Sequence, residues 1–350
     1  MAMAQQALGD LAAAERSYRD ALATRQTLLG PGHRETHNVT FRYVALLTLR
    51  DRLVEARALA ERAVADIEGS ASEQDPLRAD AYASLAMVLS NFDEGDADGE
   101  GERLRRRALA IFERAYGADH PKTVGARNDL ASVLFGQKRY AEALTMFEAV
   151  VLARRAKFGP DHPSVATASN NLAFCHLQLG NPGAALAFAE DAYRIRLSKY
   201  GPDHANTAMS AQALGTTELE LGRFADAQRH LRGAISGFDA ALGSDNSTVL
   251  GSLSNLTRAL IAGGTGDPGC AVARRGFALA KADQPGESTN QVYQRGLLGA
   301  CLIRNGDRKR GRELLTAAAQ RLPGIVGAQD IAARRLVALQ AQLVLEGDDP

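Results

Sequence analysis

Leucines and small residues recur along this chain at helical spacing. A leucine stands at 85, 130, 172, 214, 256 and 298, with Tyr43 in the corresponding place of the first unit. A small residue follows most of them: Ala86, Ala131, Ala173, Gly215 and Gly299. Thirteen residues beyond the leading residue come Ala56, Ala143, Ala185 and Ala227. Small residues at fixed places on neighbouring helical patterns are what close helix–helix contact requires. Val, Ile and Thr nowhere alternate with period two, so the pattern predicts helices and no strands. Turn signals such as LGNPG at 179–183, LGRF at 221–224 and NGDR at 305–308 fall between the two patterns. Each unit therefore reads as helix A, a short turn, then helix B.

A second set of turns sets the period. LGPGH, YGADH, FGPDH, YGPDH and LGSDN end at His33, His120, His162, His204 and Asn246, and the last four endpoints are 42 residues apart. The same step of 42 reaches Asp75 from His33, and Ser288 then Asp330 from Asn246. Asp75 to His120 is 45, and the three extra residues are assigned to the acidic loop FDEGDADGEGE. A fixed period of this size marks a solenoid. Gly159 and Gly201 suit a left-handed C-cap, Pro160 and Pro202 stop the helix, and Asp161, Asp203 or the adjacent histidine suits the next N-cap. Histidines one repeat apart lie about 10 Å apart at helix-packing distances. Zinc ligands sit about 2 Å from their ion, so these histidines read as turn punctuation and not as a metal or catalytic set.

The resulting expectation is an all-α, right-handed superhelical solenoid of about seven antiparallel helix pairs in a single array. A partial repeat covers 1–30. Repeats follow at 31–72, 73–117, 118–159, 160–201, 202–243, 244–285 and 286–322, and a closing helix at 328–345 covers the last apolar face. The sixth repeat, with IAGGTGDPG, is read as carrying about two extra residues in its inner turn. The chain opens in the middle of a unit, which points to an upstream start or to a module of a longer protein.

Composition narrows the function. Lys+Arg and Asp+Glu are both 41, so 41 − 41 leaves no net charge, and no electrostatic footprint for nucleic acid or an anionic membrane follows. No signal peptide or membrane span is legible. Cys175, Cys270 and Cys301 are far apart, so no disulfide framework is expected and a cytoplasmic setting is the natural reading. No phosphate loop, HExxH, CxxC or GxSxG is present. EGDADG at 94–99 has the look of a calcium loop, but its twelfth place is Arg105 where a glutamate is needed. Arg103, Arg105, Arg106 and Arg107 are read as the hydrated face of an amphipathic helix. His176 and Cys175 are read as core residues. No enzyme, metal or cofactor is expected.

The motif run GPDHP…NNLA…LG…GPDH, best seen at residues 161–204, resembles tetratricopeptide repeats of the 42-residue, kinesin-light-chain-like variety found in many bacterial proteins. The resemblance spans roughly residues 5–322 and the last helix. It implies that helix A lines a concave face that binds an extended peptide or a partner protein. The residues just before the helix A register leucine then become candidates, Asn128, Asp129, Asn170, Asn171, Gln212, Ser254 and Asn255, with Phe174, Thr216 and Arg258 one turn further. An amide side chain both donates and accepts, which suits bonding to a peptide backbone, and bracing within the array is the competing role. The expectation is a non-catalytic scaffold. One alternative is the regulatory or sensor module of a longer bacterial signalling protein, either a serine/threonine kinase, to whose sensor regions the array is also similar, or a transcriptional regulator. Another is a small-molecule-sensing groove, which an apolar pocket inside the superhelix would favour.

Overall fold

The computed structural model describes residues 1–7, 9–92, 99–264, 269–283, 287–328 and 330–345. Among them are seventeen α-helices and a short 3-10 turn, Ser247–Val249, with no strand. Packing divides the chain into two compact units, Met1–Lys157 and Phe158–Pro350. The first unit holds α1 (Ala2–Ala7), α2 (Leu11–Leu29), α3 (Arg34–Leu49), α4 (Leu53–Ser70), α5 (Pro76–Leu89), α6 (Glu100–Tyr116), α7 (Pro121–Gly136) and nearly all of α8 (Tyr140–Phe158). The second holds α9 (Pro163–Gln178), α10 (Pro182–Tyr200), α11 (Ala205–Glu220), α12 (Phe224–Leu242), α13 (Leu250–Ala262), α14 (Cys270–Asp283), α15 (Thr289–Arg304), α16 (Arg308–Val326) and α17 (Ile331–Leu345). Each unit is a solenoid of helix pairs. Within the second, the first helices α9, α11, α13 and α15 touch in turn.

All eight ladder residues cap helices with their side chains. Imidazole Nδ1 of His33, His120, His162 and His204 accepts the backbone N–H two residues on, at 3.1–3.3 Å. Asp75, Asn246 and Asp330 do the same through oxygen at 2.8–2.9 Å, and Ser288 takes the N–H of Gln291 at 3.3 Å. The histidine, and not the aspartate before it, is thus the cap of the pentapeptide. Three of the four imidazoles also stack on the aromatic residue that opens their motif: Tyr116 on His120 at 4.3 Å, Phe158 on His162 at 4.7 Å and Tyr200 on His204 at 4.6 Å. The left-handed glycine between them, Gly201 at φ 78°, folds the chain back so that the two rings meet. His162→Ala is expected to lower stability by about 1 kcal/mol in urea unfolding, whereas His162→Asn, which puts at 162 the residue the ladder uses at 246, retains most of it. Equal losses for both would refute the capping role.

The inner turns keep their own ladder. Lys138, Gly180, Gly222, Gly264 and Gly306 all have positive φ at steps of 42, and Lys138 adopts φ 62° without the freedom of glycine. The register residues behave as core. Leu85, Leu130, Leu172, Leu214 and Leu256 are buried, as are Ala56, Ala143, Ala185 and Ala227. The small residues mark the closest approach of paired helices. A Cβ on Gly299 would lie 2.7 Å from the carbonyl oxygen of Gly311, so α15 and α16 meet backbone to backbone.

Two sequence expectations change. Arg105 is not on a hydrated face: it is buried, and its guanidinium donates to the Ala86 carbonyl and Ser90 Oγ, both at 2.8 Å. Its neighbours do face outward, Arg107 lying 4.4 Å over the Tyr82 ring. Second, Cys270 and Cys301 form a disulfide, with Cα atoms 5.5 Å apart, joining the start of α14 to α15. They are 31 residues apart in sequence, and only the packing of α14 on α15 brings them together. Cys175 is the free one, sealed in the core, and burial pushes its thiol up to about 12. The sixth repeat keeps its step of 42 from Asn246 to Ser288. The inner turn read as enlarged lies partly outside the described residues, as does most of EGDADG.

The helix expected to close the array is α17. It packs on α15 and α16, burying Ala333 and Leu336. Leu336 seats on Gly296, where an added Cβ would lie 2.5 Å from it.

Candidate functional site

Helix A residues eight and nine places past each cap are the natural site candidates, and the structure sorts them into different environments. On α7, Asn128 is half-buried, donates to Asp129 Oδ1 at 3.4 Å, and keeps its own Oδ1 buried without a bond; Asp129 is exposed. On α9, Asn170 is only 1% exposed and its Oδ1 has no partner, so it presents no surface to a ligand. Asn171 and Phe174 beside it are half-buried, and Phe174 packs along Ala173, Leu177 and Ala185.

The candidates on α11 and α13 form one bonded line. Asn255 Nδ2 donates to Thr216 Oγ1 at 2.9 Å, and Thr216 donates to the Gln212 carbonyl at 2.7 Å. Arg258 donates to Asn255 Oδ1 at 3.1 Å and to Glu220 Oε1 at 3.0 Å. Gln212 lies against the backbone of Gly251, where a Cβ would come within contact of its amide nitrogen. Ser254 Oγ accepts from Gln294 of α15 at 2.8 Å. These amides therefore brace neighbouring first helices, which a buried amide needs in any case.

Two hollows were not legible in the sequence. In the first unit a hollow of about 890 Å³ lies between the N-terminal residues and α2 on one side (Met1, Met3, Tyr18, Arg25) and α3 on the other (Asn38, Phe41, Arg42), with one residue each from α5, Asp80, and α7, Lys122. Phe41 and Arg42 hold the same register places in that unit as Asn128 and Asp129 in theirs, which was the signal available. Its charges are mixed: Lys122 bonds Asp80 at 2.7 Å, and Arg25 bonds Glu35 at 3.0 Å. In the second unit a smaller cavity of about 280 Å³ lies among α11, α13, α15 and α17. There Arg335 of α17 also reaches Glu220 Oε1, at 2.7 Å across 115 residues of sequence. Burial and the neighbouring Arg258 press the Arg335 guanidinium below its ordinary pKa, with Glu220 opposing them.

Among the described residues no three His, Cys, Asp or Glu side chains gather to hold a metal ion. No described helix is long and apolar enough to cross a membrane.

Models of the tetratricopeptide repeat match residues 1–35, 90–148 and 123–198. No curated protein matches the sequence. Several solved structures share the fold. BtubC (BKLC) from P. vanneervenii is 22% identical, with TM-score 0.54 over 67% of this chain and 94% of that one. The apo quorum sensor NprR from B. thuringiensis is 10% identical, with TM-score 0.61 over 98% and 96%. The Pyrococcus horikoshii signal-transduction ATPase with a tetratricopeptide-repeat sensor, PH0952, is 13% identical, with TM-score 0.64 over 94% of this chain but 46% of that one.

Proposed function

From the premise that this chain carries tetratricopeptide repeats of the kinesin-light-chain-like kind, we propose that it is a non-catalytic scaffold binding an extended peptide segment on its first-helix faces. The observation that carries this reading is the hollow of about 890 Å³ lined by Asn38, Phe41, Arg42, Asp80 and Lys122. Most of its first-helix lining is α3, with Asp80 and Lys122 carrying it to α5 and α7 and α2 walling the other side, so an extended chain lying along it meets donors and acceptors from successive helices. Its mixed charge favours backbone-directed bonding over a strongly charged ligand. In the second unit, Asn171 and Phe174 offer the corresponding accessible line, while Asn255, Thr216 and Arg258 hold the helices that present it. The repeat boundaries read from the sequence are retained as the units of this scaffold.

Panning a random peptide library against the whole chain tests the reading. Asn38→Ala with Arg42→Ala should weaken a selected peptide by about tenfold, since each bond contributes about 0.5–1.5 kcal/mol net. His162→Ala with His204→Ala should leave affinity unchanged while lowering stability. A library that yields no consensus, or a folded histidine variant that loses binding, would overturn it.

A second reading, the sensor module of a longer signalling protein, is favoured by one likeness: the chain spans about half of a signalling ATPase whose sensor is a tetratricopeptide array. A kinase, ATPase or DNA-binding segment encoded in the same reading frame would establish it. A cytoplasmic setting is also proposed; the Cys270–Cys301 bond counts against it, because a reducing compartment opens such bonds, and the redox state of that pair in cells tests it.

A further inference from the structure

The cavity of the second unit is amphipathic in a way that the bracing of helices does not require. It is lined on most sides by Leu219, Phe224, Ile261, Leu297, Leu336 and Leu339. At its polar end, two guanidiniums converge on one oxygen: Arg258 at 3.0 Å and Arg335 at 2.7 Å from Glu220 Oε1. Two cations against one carboxylate leave one positive charge in excess. The three side chains are 18%, 33% and 26% exposed, so that excess is only partly screened by water. A planar guanidinium is shaped to take a carboxylate by paired bonds. The volume of about 280 Å³ lies just under the usual range of small-molecule sites, about 300–1,000 Å³.

We propose that this cavity binds a small amphipathic acid, its single carboxylate seated between Arg258 and Arg335 and its branched or aromatic body among the surrounding leucines. The carboxylate supplies the second anion that the arginine pair lacks. One net positive charge matches a monoanion, and the volume admits a body about the size of one large apolar side chain. Such an acid is either free or the C-terminal apolar residue of a peptide. The site is built from the second unit alone, whereas Asn38 and Arg42 belong to the first, so its failure and that of the peptide reading are separable.

The test is calorimetric titration of the whole chain with phenylacetate, 4-methylpentanoate and octanoate, each beside its neutral amide. A tetrapeptide ending in leucine, and the same peptide amidated at its C-terminus, form a second arm. At least one acid or the free-carboxylate peptide should bind about tenfold or more tighter than its amide. Whichever arm binds identifies the source. Arg335→Ala should abolish that preference. Because this variant also removes a contact tying α17 to α11, Glu220→Gln provides a second check: removing the competing carboxylate should tighten the acid several-fold. Asn38→Ala with Arg42→Ala should leave acid binding unchanged. Acids and amides of equal affinity, no binding by any probe up to about 10 mM, or weaker binding after Glu220→Gln would each overturn the proposal.

Discussion

Replacing Leu231 by alanine is expected to lower the stability of the second unit by about 2–5 kcal/mol, the range for a large-to-small change in a sealed core. Leu231 is fully buried between two first helices, with Leu219 of α11 on one side and Leu256 and Leu260 of α13 on the other. Its floor is Gly215, where an added Cβ would lie 2.7 Å from Leu231 Cγ and 3.2 Å from the Ala227 carbonyl oxygen. Gly215→Ala alone should therefore destabilise by overpacking, by about 1–3 kcal/mol. In the Leu231→Ala background the same methyl enters the space the leucine vacated, and its penalty should largely vanish. A double-mutant cycle should show coupling of about 1 kcal/mol or more. Strict additivity would mean that α11 and α12 do not meet as described. Since repeats interact chiefly with their neighbours, hydrogen exchange should lose most protection in α11 to α13 and less in α16. A uniform loss along the chain would argue against stacked repeats.

Opening the Cys270–Cys301 bond is expected to have the next largest effect. Freeing a closed segment of 31 residues relaxes the unfolded chain by about 3–4 kcal/mol in the loop-entropy treatment. Cys270 and Cys301 are both in the core cluster under α15, α16 and α17, so reduction or Cys301→Ser should act there first. Urea unfolding with and without reductant measures the loss. A thiol count precedes it: the oxidised native chain should show no reactive thiol, because Cys175 is buried and its thiol is held far above neutral pH. Denaturation should expose one thiol, and reduction three. Three thiols in denaturant without reductant would remove the bond and with it the predicted difference. A native chain reactive at Cys175 would instead contradict the packing of α9.

Each part of this protein was legible in the sequence to the extent that it rests on bonds between near neighbours. A helix cap joins a side chain to an N–H two residues on, and the aromatic–histidine stack spans four positions. The ladder from His33 to Asp330 is therefore readable as turns from residue type and spacing alone, even where Asp75, Ser288 and Asp330 have lost the pentapeptide. Helical period and the alternation of leucine with small residues fixed the class of fold for the same reason. Sequence left open whether aspartate or histidine was the cap, because both were within reach of the same N–H; the backbone turn at the left-handed glycine decided for the imidazole. What one repeat places against the next could not be read in this way. Asn170 and Asn171 are adjacent and alike in letters, yet one is sealed and the other half-exposed, because only the rotation of α9 against its neighbours separates them. Arg105 lay in a run of arginines that reads as hydrated, and the approach of α6 to the last turn of α5 drew it inward. Cys270 meets Cys301 across 31 residues because α14 packs on α15, and Glu220 meets Arg335 across 115 because α17 reaches α11. Local hydrogen bonding and helical period made the repeats legible in the sequence. The stacking of one helix pair on another, a property of no single repeat, decided which amides brace, which cysteines bond and where the arginines converge.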